Sequence, residues 1–124
     1  MRAYLWVAFG SVFGASARYA LSRYAAKVLS PDFPYGTLII NVTGSLILGW
    51  FMIWTTERVF ADSRWRLFVA IGFCGSYTTF SSYAFESYAL FEQGHWGLFA
   101  INVLANNALC LIGVLAGAAL ARGM

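Results

Sequence analysis

Two stretches of this chain, residues 35–56 and 96–120, contain no Asp, Glu, Lys or Arg. Each is long enough to cross the hydrocarbon of a bilayer, which takes about 20 mostly apolar residues in helical form. A short chain in water cannot bury two such segments on all sides. The composition agrees: 60% of the 124 residues are hydrophobic and 10% are charged, against about 45–50% and about 25% in soluble domains. The chain therefore has to be read as a membrane protein before any motif is weighed.

Two further segments complete the pattern. Residues 4–26 are apolar but contain Arg18, and residues 65–91 are apolar but interrupted in their middle. Between the first and second segments lies Pro31-Asp32-Phe33-Pro34, where each proline lacks the N–H that a continuing helix needs. The remaining loops, Glu57 to Arg64 and Glu92 to His95, are short and polar. Trp6, Trp54, Trp65 and Trp96 stand near segment ends, where indole rings favour the headgroup level. The expectation is an all-α membrane protein with four transmembrane helices, at about 4–26, 35–56, 65–91 and 96–120, in a single domain over residues 1–124. Gly14-Ala15-Ser16-Ala17 imitates a signal-peptide cleavage site, but the amphipathic run continues through Tyr19, Leu21 and Tyr24. A retained first span is expected.

Several function classes fall away. The eight cations are scattered, with no basic cluster interleaved with aromatics, so no nucleic-acid partner is expected. Cys74 and Cys110 fall inside apolar stretches without metal-ligand spacing and read as buried thiols. His95, the sole histidine, sits in a loop beside Trp96 with no nucleophile to serve, so the chain is not expected to be an enzyme. No Walker-type phosphate loop is present, and transport would have to be passive. In a four-span topology Arg2, Arg58, Arg64, Arg66 and Arg122 share one side. Arg23, Lys27 and, if it snorkels, Arg18 lie on the other. So slight an asymmetry gives weak orientation, and insertion in both directions is compatible with it.

The third segment carries the most information. Gly72-Phe73-Cys74-Gly75-Ser76-Tyr77-Thr78-Thr79-Phe80-Ser81-Ser82-Tyr83 places a glycine and a run of hydroxyl residues near the middle of the span. Glycine weakens a helix by about 1 kcal/mol, and Ser and Thr compete for its backbone bonds. A broken helix exposes carbonyls and N–H groups that can coordinate ions. A continuous helix with a small-residue packing face fits the same letters. Elsewhere, Asn41 lies early in the second span, and Asn102, Asn106 and Cys110 recur every four residues on one face of the fourth. Such a stripe serves either interhelical hydrogen bonds or a track for a small hydrated ion, of either sign. Arg18, about 20 Å along the first helix at 1.5 Å per residue, is either a vestibule cation or a helix-end anchor. Glu86 is its candidate partner or a track residue.

In combination these residues resemble the Fluc/CrcB family of fluoride channels over essentially the whole chain. The resemblance is carried by Gly10 to Arg18, by Gly36-Thr37-Leu38 with Asn41, and by Gly75-Ser76-Tyr77-Thr78-Thr79-Phe80-Ser81-Ser82, with Glu86, Asn102 and Asn106 at the expected places. It implies a fluoride-selective channel for passive efflux, in the inner (plasma) membrane as a multi-pass protein. It also implies an antiparallel, dual-topology homodimer with two pores, and a third helix broken near the membrane centre. A structural Na⁺ is implied at the dimer centre, on the backbone carbonyls of Gly75 and Thr78. Asn41, Phe80 and Tyr83 are implied as pore residues, and Asn106, Cys110 and Val114 as the track. Ser81 and Ser82 hydroxyls and the Asn41 amide are expected to donate to the anion, and Phe80 to present its positive ring edge. This chain departs from the pattern at Tyr83, which replaces a phenylalanine, at Cys110 and Val114, which replace hydroxyl residues, and at Ser76, which replaces a glycine. The Tyr83 hydroxyl is either dispensable, since the ring edge is common to Tyr and Phe, or compensates for Cys110 and Val114. The alternative function is a small dual-topology multidrug or cation transporter. That chemistry wants a carboxylate in the first span, where this chain has Arg18.

Overall fold

Uncharged sequence becomes uninterrupted helix. The computed structural model describes residues 1–58 and 62–124, with no strand among them. Five helices follow in order: α1 (Arg2–Val28), α2 (Tyr35–Arg58), α3 (63–77), α4 (Phe80–Glu92) and α5 (Trp96–Gly123). By length and composition α2 and α5 can each cross a membrane. Residues 59–61 of the expected second loop lie outside the described residues.

Helix ends follow local chemistry. Pro34 stands at the N-cap of α2, and Asp32 before it bonds the Ser30 hydroxyl at 2.9 Å. Asp62 caps α3 by accepting the Arg64 N–H at 2.9 Å, a bond that holds its carboxyl below the usual carboxylate range. Helix α4 closes at Gly94, whose φ of 75° is in the left-handed region that a Cβ disfavours. The last turn of α2, Trp54–Arg58, is wound wider than an α-helix. There the Thr55 and Thr56 hydroxyls bond the Phe51 and Met52 carbonyls at 2.8 and 2.7 Å, competing with the backbone's own donors. A wider winding also occupies Leu67–Cys74 of α3.

Glycines set the helix separations. A Cβ at Gly117 would overlap the Leu46 carbonyl, and one at Gly49 the Val114 carbonyl, so α2 and α5 meet backbone to backbone. Gly10 and Gly14 do the same for α1 against the Phe68 and Phe73 carbonyls of α3. The outer surface is apolar, with Phe9, Leu104 and Leu115 each more than half exposed. A bilayer or a second subunit is what covers such a surface. At one end, Arg122 forks onto Glu57 at 3.0 and 3.2 Å.

The third apolar segment is interrupted, but not at its glycine. Gly75 is helical (φ −64°, ψ −29°), and the chain opens at Thr78 (φ −76°, ψ 156°) and Thr79 (φ −150°, ψ 111°). Thr78 closes α3 by donating from its N–H and its hydroxyl to the Cys74 carbonyl, at 3.0 and 2.8 Å. Thr79 opens α4 by accepting the Ser82 N–H on its hydroxyl at 3.2 Å. The backbone of Thr79 itself is buried and has no helical partner. The Asn41 side chain of α2 supplies both: its Oδ1 accepts the Thr79 N–H at 2.8 Å, and its Nδ2 donates to the Thr79 carbonyl at 3.1 Å. Asn41→Leu has the right volume but strands two buried backbone groups, each worth about 1–3 kcal/mol when unpaired. We expect a thermal midpoint in detergent lowered by several degrees or more relative to the parent chain. An unchanged midpoint would show that another group satisfies the break.

Candidate functional site

The paired amide of Asn41 is the first member of a longer chain of bonds. Its second Nδ2 hydrogen goes to Asn106 Oδ1 at 3.1 Å. Asn106 donates in turn to Asn102, at 2.9 Å to Oδ1 and 3.0 Å to the carbonyl. Asn102 donates to the Ser87 hydroxyl at 2.9 Å, and Ser87 to the Tyr83 carbonyl at 2.8 Å. Every link points the same way, and Asn41, Asn102, Asn106, Ser87 and Thr79 are all buried. The four-residue spacing that makes 102, 106 and 110 one face of α5 also makes 79, 83 and 87 one face of the chain across from it. Ser87 and Thr79 carry no role in the sequence reading, although that matching spacing was available to point to them.

Beside this chain is an open cavity of about 390 Å³. It gathers Asn41 from α2, Phe80 and Tyr83 from α4, and Asn106, Cys110 and Val114 from α5. Phe80 and Tyr83 meet edge to face with ring centroids 5.2 Å apart. Tyr83 is buried, whereas Phe80 is 76% exposed despite that contact. The break makes this geometry, because α4 restarts at Phe80 and brings both rings to the cavity wall.

Other expected site residues lie elsewhere. Ser81 and Ser82 are at the start of α4, outside the cavity wall, with their hydroxyls 3.4 and 3.0 Å from that of Thr79. Glu86 lines a second cavity of about 310 Å³, with Ser22, Gly36 and Thr37. Its Oε1 accepts the Thr37 hydroxyl at 2.7 Å, and its Oε2 is buried without a partner. Arg18 forms no ion pair with Glu86; the ion pairs among the described residues are Arg64–Asp62 and Arg122–Glu57. Gly75 and Thr78 flank the end of α3. The Thr79 N–H that would close onto the Gly75 carbonyl is diverted to Asn41, and neither carbonyl accepts a backbone N–H across the break. The space beside Gly75 is open, a Cβ there meeting nothing nearer than the Ala70 oxygen at 3.9 Å. The expectation that the Asn41 amide donates to an ion meets a physical obstacle, since both its hydrogens are spent within the subunit.

Comparison with known proteins follows the same residues. The family described as "CrcB-like protein, Camphor Resistance (CrcB)" matches residues 5–118. A protein named "Fluoride-specific ion channel FluC" from Koribacter versatilis (strain Ellin345) is 62% identical over 124 residues, spanning 100% of this chain and 98% of its own. Its namesake from Sulfurihydrogenibium sp. (strain YO3AOP1) is 45% identical over 122 residues, 98% of each. That from Paramagnetospirillum magneticum (strain ATCC 700264 / AMB-1) is 43% identical over 119 residues, 94% of this chain and 93% of its own. With the match running through the helix break, the asparagine stripe and both apolar helices, this chain belongs to the CrcB family.

Proposed function

We propose that this protein is a fluoride-selective channel that lets the ion leave the cell passively across the inner membrane. The observation that carries the reading is the cavity beside the helix break, where an aromatic pair and a buried amide stripe converge. The name shared by its relatives supports the same substrate. Fluoride is small and strongly hydrated, so a path for it has to replace water without trapping the ion. Ring edges carry positive charge and offer weak contacts, and several weak contacts in series allow both entry and exit. The relatives are named as ion channels, which supports transport as the chemistry of this site.

The subunit is a single domain of four spans, the third being α3 with α4 across the break. Two copies pack antiparallel, each contributing to two pores. Support for the dimer comes from Phe80, a large ring left 76% exposed at the cavity mouth, and from the open flank of Gly75. A Na⁺ at the twofold axis fits the donors: the Gly75 and Thr78 carbonyls are hard oxygens released from helical pairing. Unwound carbonyls of this kind hold Na⁺ in other broken helices. When bound, the ion would supply fixed positive charge near the anion path. Ser81, Ser82, Glu86 and Arg18 would then act at the approaches to the pore and not on the cavity wall.

Proteoliposomes loaded with fluoride are expected to empty rapidly when the purified chain is present, with chloride retained. Equal fluoride and chloride fluxes would reject selectivity. Phe80→Ile keeps an apolar side chain but removes the ring edge, and is expected to lower fluoride flux about two- to tenfold, since an aromatic-edge contact is worth about 0.5–1.5 kcal/mol. Orientation is tested separately. A single cysteine placed at either terminus is expected to be labelled from both sides of the membrane in whole cells. Labelling from one side alone would reject dual topology.

A further inference from the structure

The cavity wall can be audited hydrogen by hydrogen. Asn41 has spent both amide hydrogens, on Thr79 and Asn106. Asn106 has spent its pair on Asn102. The Ser45 hydroxyl donates to the Asn41 carbonyl at 2.7 Å and the Thr78 hydroxyl to the Cys74 carbonyl at 2.8 Å. Asn107 donates to the Val103 carbonyl at 2.8 Å and to the Tyr83 hydroxyl at 3.2 Å. Two hydrogens remain on the wall: the phenol O–H of Tyr83 and the thiol S–H of Cys110. A thiol is a weak donor. Val114, one turn further along α5, has none.

The Asn107 bond decides how the phenol is used. A phenolic oxygen accepts on one side and donates on the other within the plane of its ring. With Asn107 Nδ2 on the accepting side, the hydrogen is turned away from it, and no acceptor among the described residues receives it. The ring is buried and braced against Phe80, so the hydroxyl has little freedom to reorient.

We infer that the Tyr83 hydroxyl is the hydrogen-bond donor this chain presents to the anion in the cavity, and that Asn107 is the positioning residue that holds it there. The inference rests on the fluoride-channel reading and deepens it. A fixed O–H suits a small, strongly accepting anion better than a large, diffuse one, because a charge-assisted bond shortens and strengthens with the acceptor's charge density. Tyr83 would thus contribute to the preference for fluoride over chloride as well as to passage.

The test uses the full-length chain in proteoliposomes, with fluoride and chloride efflux read by ion-selective electrodes. Wild-type fluoride efflux is the control, and its absence would overturn the channel reading together with this one. Given that efflux, Tyr83→Phe is expected to lower fluoride flux about tenfold or more, the loss for one hydrogen bond to a charged acceptor. Asn107→Leu is expected to lower it in the same direction, and the double variant to be no worse than Tyr83→Phe alone. A purely structural role is separated by rescue: Cys110→Ser restores a hydroxyl to the same wall and is expected to recover flux in the Tyr83→Phe background. Wild-type flux in a folded Tyr83→Phe variant would overturn the inference. So would independent, multiplying losses from Tyr83→Phe and Asn107→Leu without rescue by Cys110→Ser.

Discussion

A helix opened in a dry interior leaves backbone groups that nothing local can satisfy, and here one side chain answers for the residue at the centre of the opening. Asn41 faces Thr79 as another strand's backbone would, accepting its N–H and donating to its carbonyl. Water cannot do this in the hydrocarbon zone, where unpaired backbone is tolerated only against protein or a wet cavity. Once Thr79 is fixed, α4 has a defined start, and Phe80 and Tyr83 have defined positions. The Gly75 and Thr78 carbonyls are left over as oxygens that the helix no longer needs. Diversion of a single N–H from Gly75 to Asn41 thus links the fold to the freed Gly75 carbonyl and to the aromatic pair at the start of α4.

Asn41 can act this way only because α2 comes close. Gly44, less than one turn from Asn41, faces Thr78 and Tyr77, and a Cβ there would run into the Thr78 methyl. Tyr77 in turn lies on Phe73 and places its hydroxyl 2.9 Å from that of Thr43. The glycines of α5 bring Asn106 within reach of Asn41 by the same device. Small residues therefore do more than improve van der Waals contact between helices. They shorten the gaps that short amide side chains have to bridge.

Sequence alone disclosed the apolar segments, because an uncharged run has few other fates, and it disclosed the asparagine stripe, because four-residue spacing defines a helix face. It placed an interruption within residues 72–83, and the opening falls there, at Thr78 and Thr79. Gly75 is the weakest helix former in the run, yet it stays helical, since what ends α3 is the supply of partners at Thr78 and Thr79. Thr78 turns back to Cys74, but the partner of Thr79 lies 38 residues away on α2. The bonds of Ser87 and Asn107 were illegible for the same reason, as donor direction depends on who faces whom. Arg18 and Glu86 looked like a pair by charge, but Glu86 turns to Thr37 of α2 instead. Of the residues that the family resemblance implies, Asn41, Phe80, Tyr83, Asn106, Cys110 and Val114 meet at one cavity while Ser81, Ser82, Glu86 and Arg18 do not. The resemblance gave no sign that the amide hydrogens were already spent.

That saturation bears on how such a wall can handle an ion. A cavity lined with free amide and hydroxyl donors would hold a small anion tightly, and a tightly held ion does not leave. When the amides satisfy one another in a single direction, from Asn41 through Asn106 and Asn102 to Ser87, they give a rigid, polarised surface with few hydrogens to offer. Aligned bonds of this kind reinforce one another and resist rearrangement in a medium of low dielectric. On the proposed path an anion passing beside them would meet oriented dipoles and ring edges, which attract it without replacing its whole hydration shell. Conduction needs binding strong enough to admit the ion and weak enough to release it. A buried network that is nearly complete, with a single hydroxyl left over, meets both demands on one surface.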